Sequence, residues 1–347
     1  MNAHVSTGRL PPNDTVAALV AEAHRRFRSV TEGTNSQVYP ALAAARSDLF
    51  GVCIASTNGD TYMAGDADHE FPIMSVSKPF VFALVCHAIG VDQARDKLGV
   101  NSTGLPFDSL CAIERSEDGR TNPMVNAGAM ATTSLVPGAT TGAKWRFIQH
   151  GLSQFAGRTL SVNSDVYASA SETNHRNQSI ARALRSRDRI YFDVDDTTDL
   201  YTRQCSLNVS AKDLAIMSAT LADGGVNPFT RTRVIDPAIC HYVLAVMATA
   251  GLYETSGDWL YSVGLPGKSG IAGGIIAASP GKGGVGVFAP PLDKAGNSVK
   301  GQLVAKFLSE RLGLDLFVSQ SAASRARRAR RNSADAADAV ARNTSLR

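Results

Sequence analysis

Cysteine is scarce and unpaired in this sequence: Cys53, Cys86, Cys111, Cys205 and Cys240 lie far apart, and no two form a Cys-x-x-Cys. An odd, scattered set excludes a disulfide framework and a zinc knuckle and points to a reducing compartment. The histidines His69, His87, His150, His175 and His241 show no metal-ligand spacing either. Long apolar runs are also missing. Residues 1–14 hold no signal-peptide core, and no stretch approaches the roughly 20 apolar residues of a membrane helix. The expected location is the cytoplasm, with no membrane partner. Residues 319–347 lack aromatics altogether and carry seven arginines and two aspartates, a net +5. The chain as a whole is +4, so the remainder is near −1. A basic segment without stacking residues or a nucleic-acid motif argues against a nucleic-acid partner and reads as a disordered tail. The expected organisation is one large domain over residues 1–318 followed by that tail.

What is present is ordinary for a globular protein: 44 % apolar and 19 % charged residues. An apolar face on Val16, Leu19, Val20, Ala23 and Phe27 predicts a helix over 15–27, capped by Asn13 or Asp14. Residues 49–56 and 60–64 read as strands around an Asn58-Gly59 hairpin turn. Residues 92–119 look loop-rich. Helices are expected over 144–156, 179–187, 210–222 (Ser210 capping, Asp213 three on) and 237–249 with Pro237 at its start. Past Gly251 the pattern becomes β-like, at 261–264, 273–278 and 284–289, before an amphipathic helix over 298–312. Strands at both ends with helices between predict an α+β fold. One antiparallel sheet is built from both ends of the chain, with a helical lobe inserted and the site between the two parts.

The stretch Phe71-Pro-Ile-Met-Ser75-Val-Ser-Lys78-Pro79, followed by apolar residues 80–86, stands out. Pro79 belongs to a helix's first turn, so a helix begins near Ser75. Ser75 and Lys78 then share a face at the positive end of a helix that is apolar all round, hence buried. Burial lowers a lysine pKa toward a useful base, and the helix start favours a developing alkoxide. Ser-x-x-Lys alone is common. A later Lys268-Ser269-Gly270 at an expected strand start completes the paired signature of the serine β-lactamase and penicillin-binding fold. There Lys268 supplies positive charge, Ser269 a hydrogen bond, and Gly270 close approach of the backbone.

Several neighbouring words sharpen the match. They are Asn122-Pro-Met-Val-Asn126-Ala-Gly-Ala, Arg176-Asn177, Leu200-Tyr201-x-x-Gln204-Cys205-Ser206, Gly251-x-Tyr253-x-x-Ser256-Gly257, Lys268-Ser-Gly-Ile271-Ala-Gly-Gly274 and Asn297-Ser-Val-Lys-Gly301. Together they resemble the serine-dependent, β-lactamase-like glutaminases over roughly residues 16–316. The resemblance implies hydrolysis of L-glutamine to L-glutamate and ammonia through a glutamyl ester on Ser75. Lys78 would share the serine proton and Tyr253 shuttle protons. The backbone N–H groups of Ser75 and Ile271 would form an oxyanion hole, and Asn126, Asn177 and Tyr201 would hold the α-carboxylate and α-amino groups. It implies no cofactor and no metal, and a homodimer or homotetramer.

Two positions depart from the family pattern. The glutamate expected seven residues before Asn177 is Ala170, so the group that normally accepts the substrate ammonium is missing from the substrate-binding set. A charge-assisted contact of this kind is worth roughly 1.5–3 kcal/mol. Glu172 lies two residues on and faces elsewhere on a helix. Tyr39, in Val38-Tyr39-Pro40, sits one place from its family counterpart. Two other readings therefore remain: a catalytically weak glutamine-binding protein, and another serine acyl hydrolase, β-lactamase- or esterase-like, on the same fold.

Overall fold

The strand β1 (Gly51–Ser56) is buried along its whole length and lies inside the sheet rather than at an edge. Its side chains alternate. Val52 and Ile54 enter one apolar cluster, with the Asn13–Phe27 and Val299–Leu312 helices, and Cys53 and Ala55 enter another, with Ala215, Ile216 and Ala219. A tight turn returns the chain along β2 (Thr61–Gly65), pairing Gly51 with Gly65 and Ala55 with Thr61. A two-stranded ribbon joins β3 (Phe71–Pro72) to β4 (Asn208–Val209) across the helical lobe. The remaining strands, β5 (Gly267–Ser269), β6 (Gly274–Ser279) and β7 (Gly283–Phe288), complete an antiparallel sheet of order β2-β1-β7-β6-β5. The two ends of the chain thus meet at the β1–β7 ladder, where Gly51 faces Phe288 and Ser56 faces Gly283.

Each sheet face has its own cover. On one side Val285 and Val287 of β7 join the cluster with Val16, Val20, Val304 and Leu308. On the other the Ala211–Ala222 helix lies against glycines. A Cβ on Gly284 would fall 2.4 Å from the Ala215 carbonyl, and one on Gly286 2.1 Å from the Ala211 carbonyl. Backbone meets backbone there, which only glycine permits. The helix is fixed by the expected capping box: Ser210 Oγ accepts from the Asp213 amide and Asp213 Oδ2 from the Ser210 amide. Asp213 also takes a bidentate contact from Arg158.

The structure, a computed structural model, describes residues 8–318. The expected basic tail, 319–347, lies outside the described residues. In chain order between β3 and β5 come the helices Asn126–Leu135, Thr141–Ala156, Ser164–Thr173, His175–Arg185 and Val194–Cys205; the first two pack on Lys78–Ile89, which also meets Pro237–Ala250, and Val194–Cys205 meets the other four. The α+β layout is as expected. Three expectations fail. The first helix starts at Asn13 with Pro12 at the cap position and no side-chain cap, so neither Asn13 nor Asp14 caps it. Residues 261–264 are not β-like but finish the Ser256–Val263 helix, whose Trp259 and Val263 are buried four apart while Tyr261 is 95 % exposed. Helical period therefore outweighed the glycine and proline that follow. The stretch 92–119 is less loop-rich than it reads, since Gly90 and Gly99 bracket a Val91–Leu98 helix that buries Ala94 and Leu98.

Candidate active site

Ser75 sits in a 3₁₀ turn, Met74–Ser77, which runs directly into the Lys78–Ile89 helix with Pro79 in its first turn. In a 3₁₀ turn residues three apart eclipse, so Ser75 and Lys78 share one side. Side chains hold the turn in place. Ser77 Oγ donates to the Met74 carbonyl (2.8 Å) and accepts from Gln204 Nε2 (2.9 Å), while Gln204 Oε1 accepts from Thr133 (3.0 Å). Met74 has φ 48° and Tyr253 φ 59°, two of the four non-glycine residues with positive φ among the described residues. Strained backbone on both sides of the nucleophile needs such over-determined surroundings.

Lys78 is buried, 1 % exposed. Its Nζ donates to Asn126 Oδ1 at 2.7 Å and to the Met124 carbonyl at 3.4 Å. Burial pushes the amine down to about 7, opposed by the charge of Asp108 and the Cys205 thiol. Asn126, at the start of the Asn126–Leu135 helix, connects several groups. Its Oδ1 also accepts from the Tyr201 hydroxyl (3.2 Å), and its Nδ2 donates to Asn177 Oδ1 (2.9 Å). Asn177 Nδ2 reaches the Tyr39 hydroxyl at 3.5 Å, and that hydroxyl reaches Asn174 Oδ1 at 3.4 Å. Burial holds the Tyr201 phenol well above its ordinary range.

The other wall is the outer strand β5. A Cβ on Gly270 would lie 3.1 Å from the Ile73 carbonyl and 3.4 Å from the Ser75 amide, so glycine lets the strand end approach the serine turn. Lys268 is fully buried. Its Nζ donates to the Ser269 carbonyl (2.6 Å) and lies 4.2 Å from the centre of the Tyr253 ring. Burial, reinforced by the charge of Lys78, holds this amine well below its ordinary value. The Tyr253 hydroxyl donates to the same carbonyl at 3.1 Å. Burial raises its phenol to about 12, against hydrogen bonding with the Ser75 and Ser269 sides. Ser269 Oγ donates to Asn297 Oδ1 (2.5 Å) and Asn297 Nδ2 to Thr255 (3.0 Å), tying β5 to the Tyr253 turn.

Ser75, Asn126, Asn177, Tyr201 and Ile271 line one cavity, with Tyr39 beside them. Lys78 and Tyr253 flank it through the contacts above. Ala170 does not line it. That residue is buried in the Ser164–Thr173 helix as part of the main apolar cluster, and Glu172 is exposed. Sequence reasoning left out Asp108 and Asn174 of the cavity wall, and held Arg176 only as part of the Arg176-Asn177 word, without a role. No motif signalled Asp108 or Asn174, which come from a turn and a helix junction. Cys205, Gln204 and Asn297 stood inside motif words without a role. The arrangement offers a hydroxyl on a helix start, an amine near neutrality and a protonated phenol, the parts of a serine acyl-transfer site.

Comparison with known proteins agrees. A family profile described as glutaminase matches residues 33–317. The chain is 67 % identical over 317 residues to glutaminase 2 of Yersinia pestis, covering 91 % of this chain and 93 % of that protein. It is 46 % identical over 307 residues to a glutaminase of Colwellia psychrerythraea, covering 88 % and 99 %. Among solved structures, a probable glutaminase superposes with TM-score 0.87 at 41 % identity, covering 89 % of this chain and all of that one. A Bacillus glutaminase superposes with TM-score 0.79 at 29 % identity, covering 87 % and 99 %. With its β-lactamase-like sheet and its paired serine and lysine, this chain belongs to the glutaminase family, hydrolases of the side-chain amide of L-glutamine.

Proposed function

We propose that the chain converts L-glutamine to L-glutamate and ammonia through an ester on Ser75, with Lys78 and Tyr253 moving the protons. The observation that carries this reading is Lys78. It is an amine with no room for water, hydrogen-bonded to Asn126 and held near pKa 7 beside the serine turn. Lys78 takes the Ser75 proton as Oγ attacks the amide carbon. The oxyanion rests on the Ser75 and Ile271 amides, an assignment supported by the approach of Gly270 to the Ser75 N–H. Tyr253, protonated at rest, gives its proton to the departing ammonia. Water then attacks the ester, returning a proton to the tyrosine oxygen, and Lys78 returns its own to Ser75. Asn126, Asn177 and Tyr201 bind the two α-substituents of the substrate.

Hydroxylamine intercepts such an ester as γ-glutamyl hydroxamate. Ser75→Ala is expected to abolish both hydroxamate and ammonia formation, a loss on the order of 10⁶ in kcat by analogy with other serine nucleophiles. Ammonia release persisting at a tenth of the parent rate in Ser75→Ala would overturn the mechanism. A cytoplasmic setting fits the five free cysteines and the lack, among the described residues, of any helix long and apolar enough to cross a membrane. A homodimer or homotetramer, as the family resemblance implies, is checked by light scattering.

A further inference from the structure

The cavity beside Ser75 must receive a zwitterion, and Ala170 brings it no carboxylate. We infer that Asp108 is the residue that takes the α-ammonium of glutamine in this protein. This rests on the reading of the Ser75 cavity as the glutamine site.

Asp108 is the one carboxylate on the wall of that cavity among the described residues. Its side chain is 37 % exposed, so a ligand can reach it. Its position is fixed by backbone rather than by chance packing of a loop. The Asn126 amide donates to the Phe107 carbonyl at 2.8 Å, which anchors the residue before Asp108 to the asparagine at the centre of the site. The Phe107 ring lies 4.8 Å from the ring of Tyr253, holding the same turn against the other wall. Arg176 Nε donates to the Asp108 main-chain carbonyl at 2.8 Å, a contact that orients the turn without occupying the carboxylate. The side-chain pair itself is loose, Nε to Oδ2 being 3.6 Å, which leaves lone pairs on Asp108 for a second cation. Arg176 lines the same cavity, so the wall presents one anionic and one cationic group side by side, matched in sign to an amino acid. The field of Asp108 also reaches the centre of the site, since its charge acts on both Lys78 and Tyr39.

Asn174, Asn177 and Tyr39 supply only neutral hydrogen-bonding groups on that side, already engaged with one another. A charge-assisted contact to an ammonium is about twice as strong as a neutral one. Losing it in a half-screened cavity corresponds to roughly ten- to a hundredfold in binding.

The test compares L-glutamine with glutaramate, the same amide lacking the α-amino group, in the parent, Asp108→Asn and Asp108→Glu. Asp108→Asn is expected to raise the KM for L-glutamine about ten- to a hundredfold while kcat/KM for glutaramate changes less than about threefold, so that discrimination collapses. Asp108→Glu, which keeps a carboxylate at the same turn, is expected to retain most of the discrimination. Thermal melts establish that each variant is folded. If Asp108→Asn melts early, Asp108→Ser, a smaller neutral replacement, decides by the same comparison. An unchanged KM for L-glutamine in the folded neutral variant, an equal loss on both substrates, or the same loss of discrimination in Asp108→Glu as in the neutral variant would overturn the assignment. Ser75→Ala run alongside separates the two levels: hydrolysis surviving it rejects the site, not the role of Asp108.

Discussion

Replacing Lys78 by methionine should make the protein more stable at low pH and nearly inactive. The lysine is 1 % exposed, and burial takes its amine from 10.5 to about 7. That drop corresponds to roughly 5 kcal/mol of differential cost for the charged form. The sign follows from linkage. Above the unfolded pKa both states are neutral at this site, and the lysine costs nothing electrostatically. As pH falls from about 10.5 to about 7 the unfolded chain holds a proton that the native one lacks, so native stability declines. Below about 7 the full penalty applies. Methionine, similar in length, removes the penalty but leaves the Met124 carbonyl without its donor, at about 1–3 kcal/mol; Asn126 Oδ1 keeps the Tyr201 hydroxyl. The net expectation for Lys78→Met is a gain of about 2–4 kcal/mol at pH 6, shrinking through pH 8.5 and reversing near pH 10. Urea unfolding at the three pH values measures it directly. In parallel, kcat/KM of the parent should rise with pH through an apparent pKa near 7, and the variant should lose about 10²–10⁴ in turnover. A variant less stable than the parent at pH 6, or a gain that does not shrink with pH, would refute the account of a desolvated base.

Three further outcomes test neighbouring features. Asn126→Asp places a carboxylate where Oδ1 now lies 2.7 Å from the Lys78 amine, so the acid limb of the pH–rate profile should move up by about 1–3 units, read from kcat/KM between pH 6 and 10. Tyr253→Phe keeps the ring against Phe107 and Lys268 but removes the proton carrier, so kcat should fall about 10²–10⁴-fold with the melting temperature within a few degrees of the parent. Gly286→Ala drives a Cβ to 2.1 Å from the Ala211 carbonyl and should cost about 3 kcal/mol, whereas Gly257→Ala, with nothing within 4 Å, should be neutral or stabilising; urea midpoints separate them.

Much of this architecture was legible in the chain because local chemistry and final contacts agree. Asn58-Gly59, the Ser210–Asp213 capping box and the Ser75–Lys78 pair each state a short-range geometry that the tertiary structure keeps. The paired motifs at Ser75 and Lys268 are 193 positions apart yet meet, since β5 ends against the serine turn. What stayed hidden depends on contacts without local pattern. Asp108 belongs to a turn whose place is set by the Asn126 amide, and Tyr39 joins Asn174 and Asn177 only through the folded lobe. Residues 261–264 misled because their signal was composition, while the decisive fact was the burial of Trp259 and Val263 on one helical face. Ala170 was legible as a substitution, but its burial in an apolar cluster was not.

The β1–β7 ladder has a consequence for synthesis. β1 and β2 leave the ribosome with no partner on their inner side, because the strand that completes them ends at Phe288. At about 5–20 residues per second, the interval between Gly65 and Phe288 is roughly 10–45 s. For that time the edge of β1 that β7 will cover stays unpaired, a template for wrong pairing. A message that stalls before codon 267 would yield a product with its serine turn formed on paper but no second wall to work against.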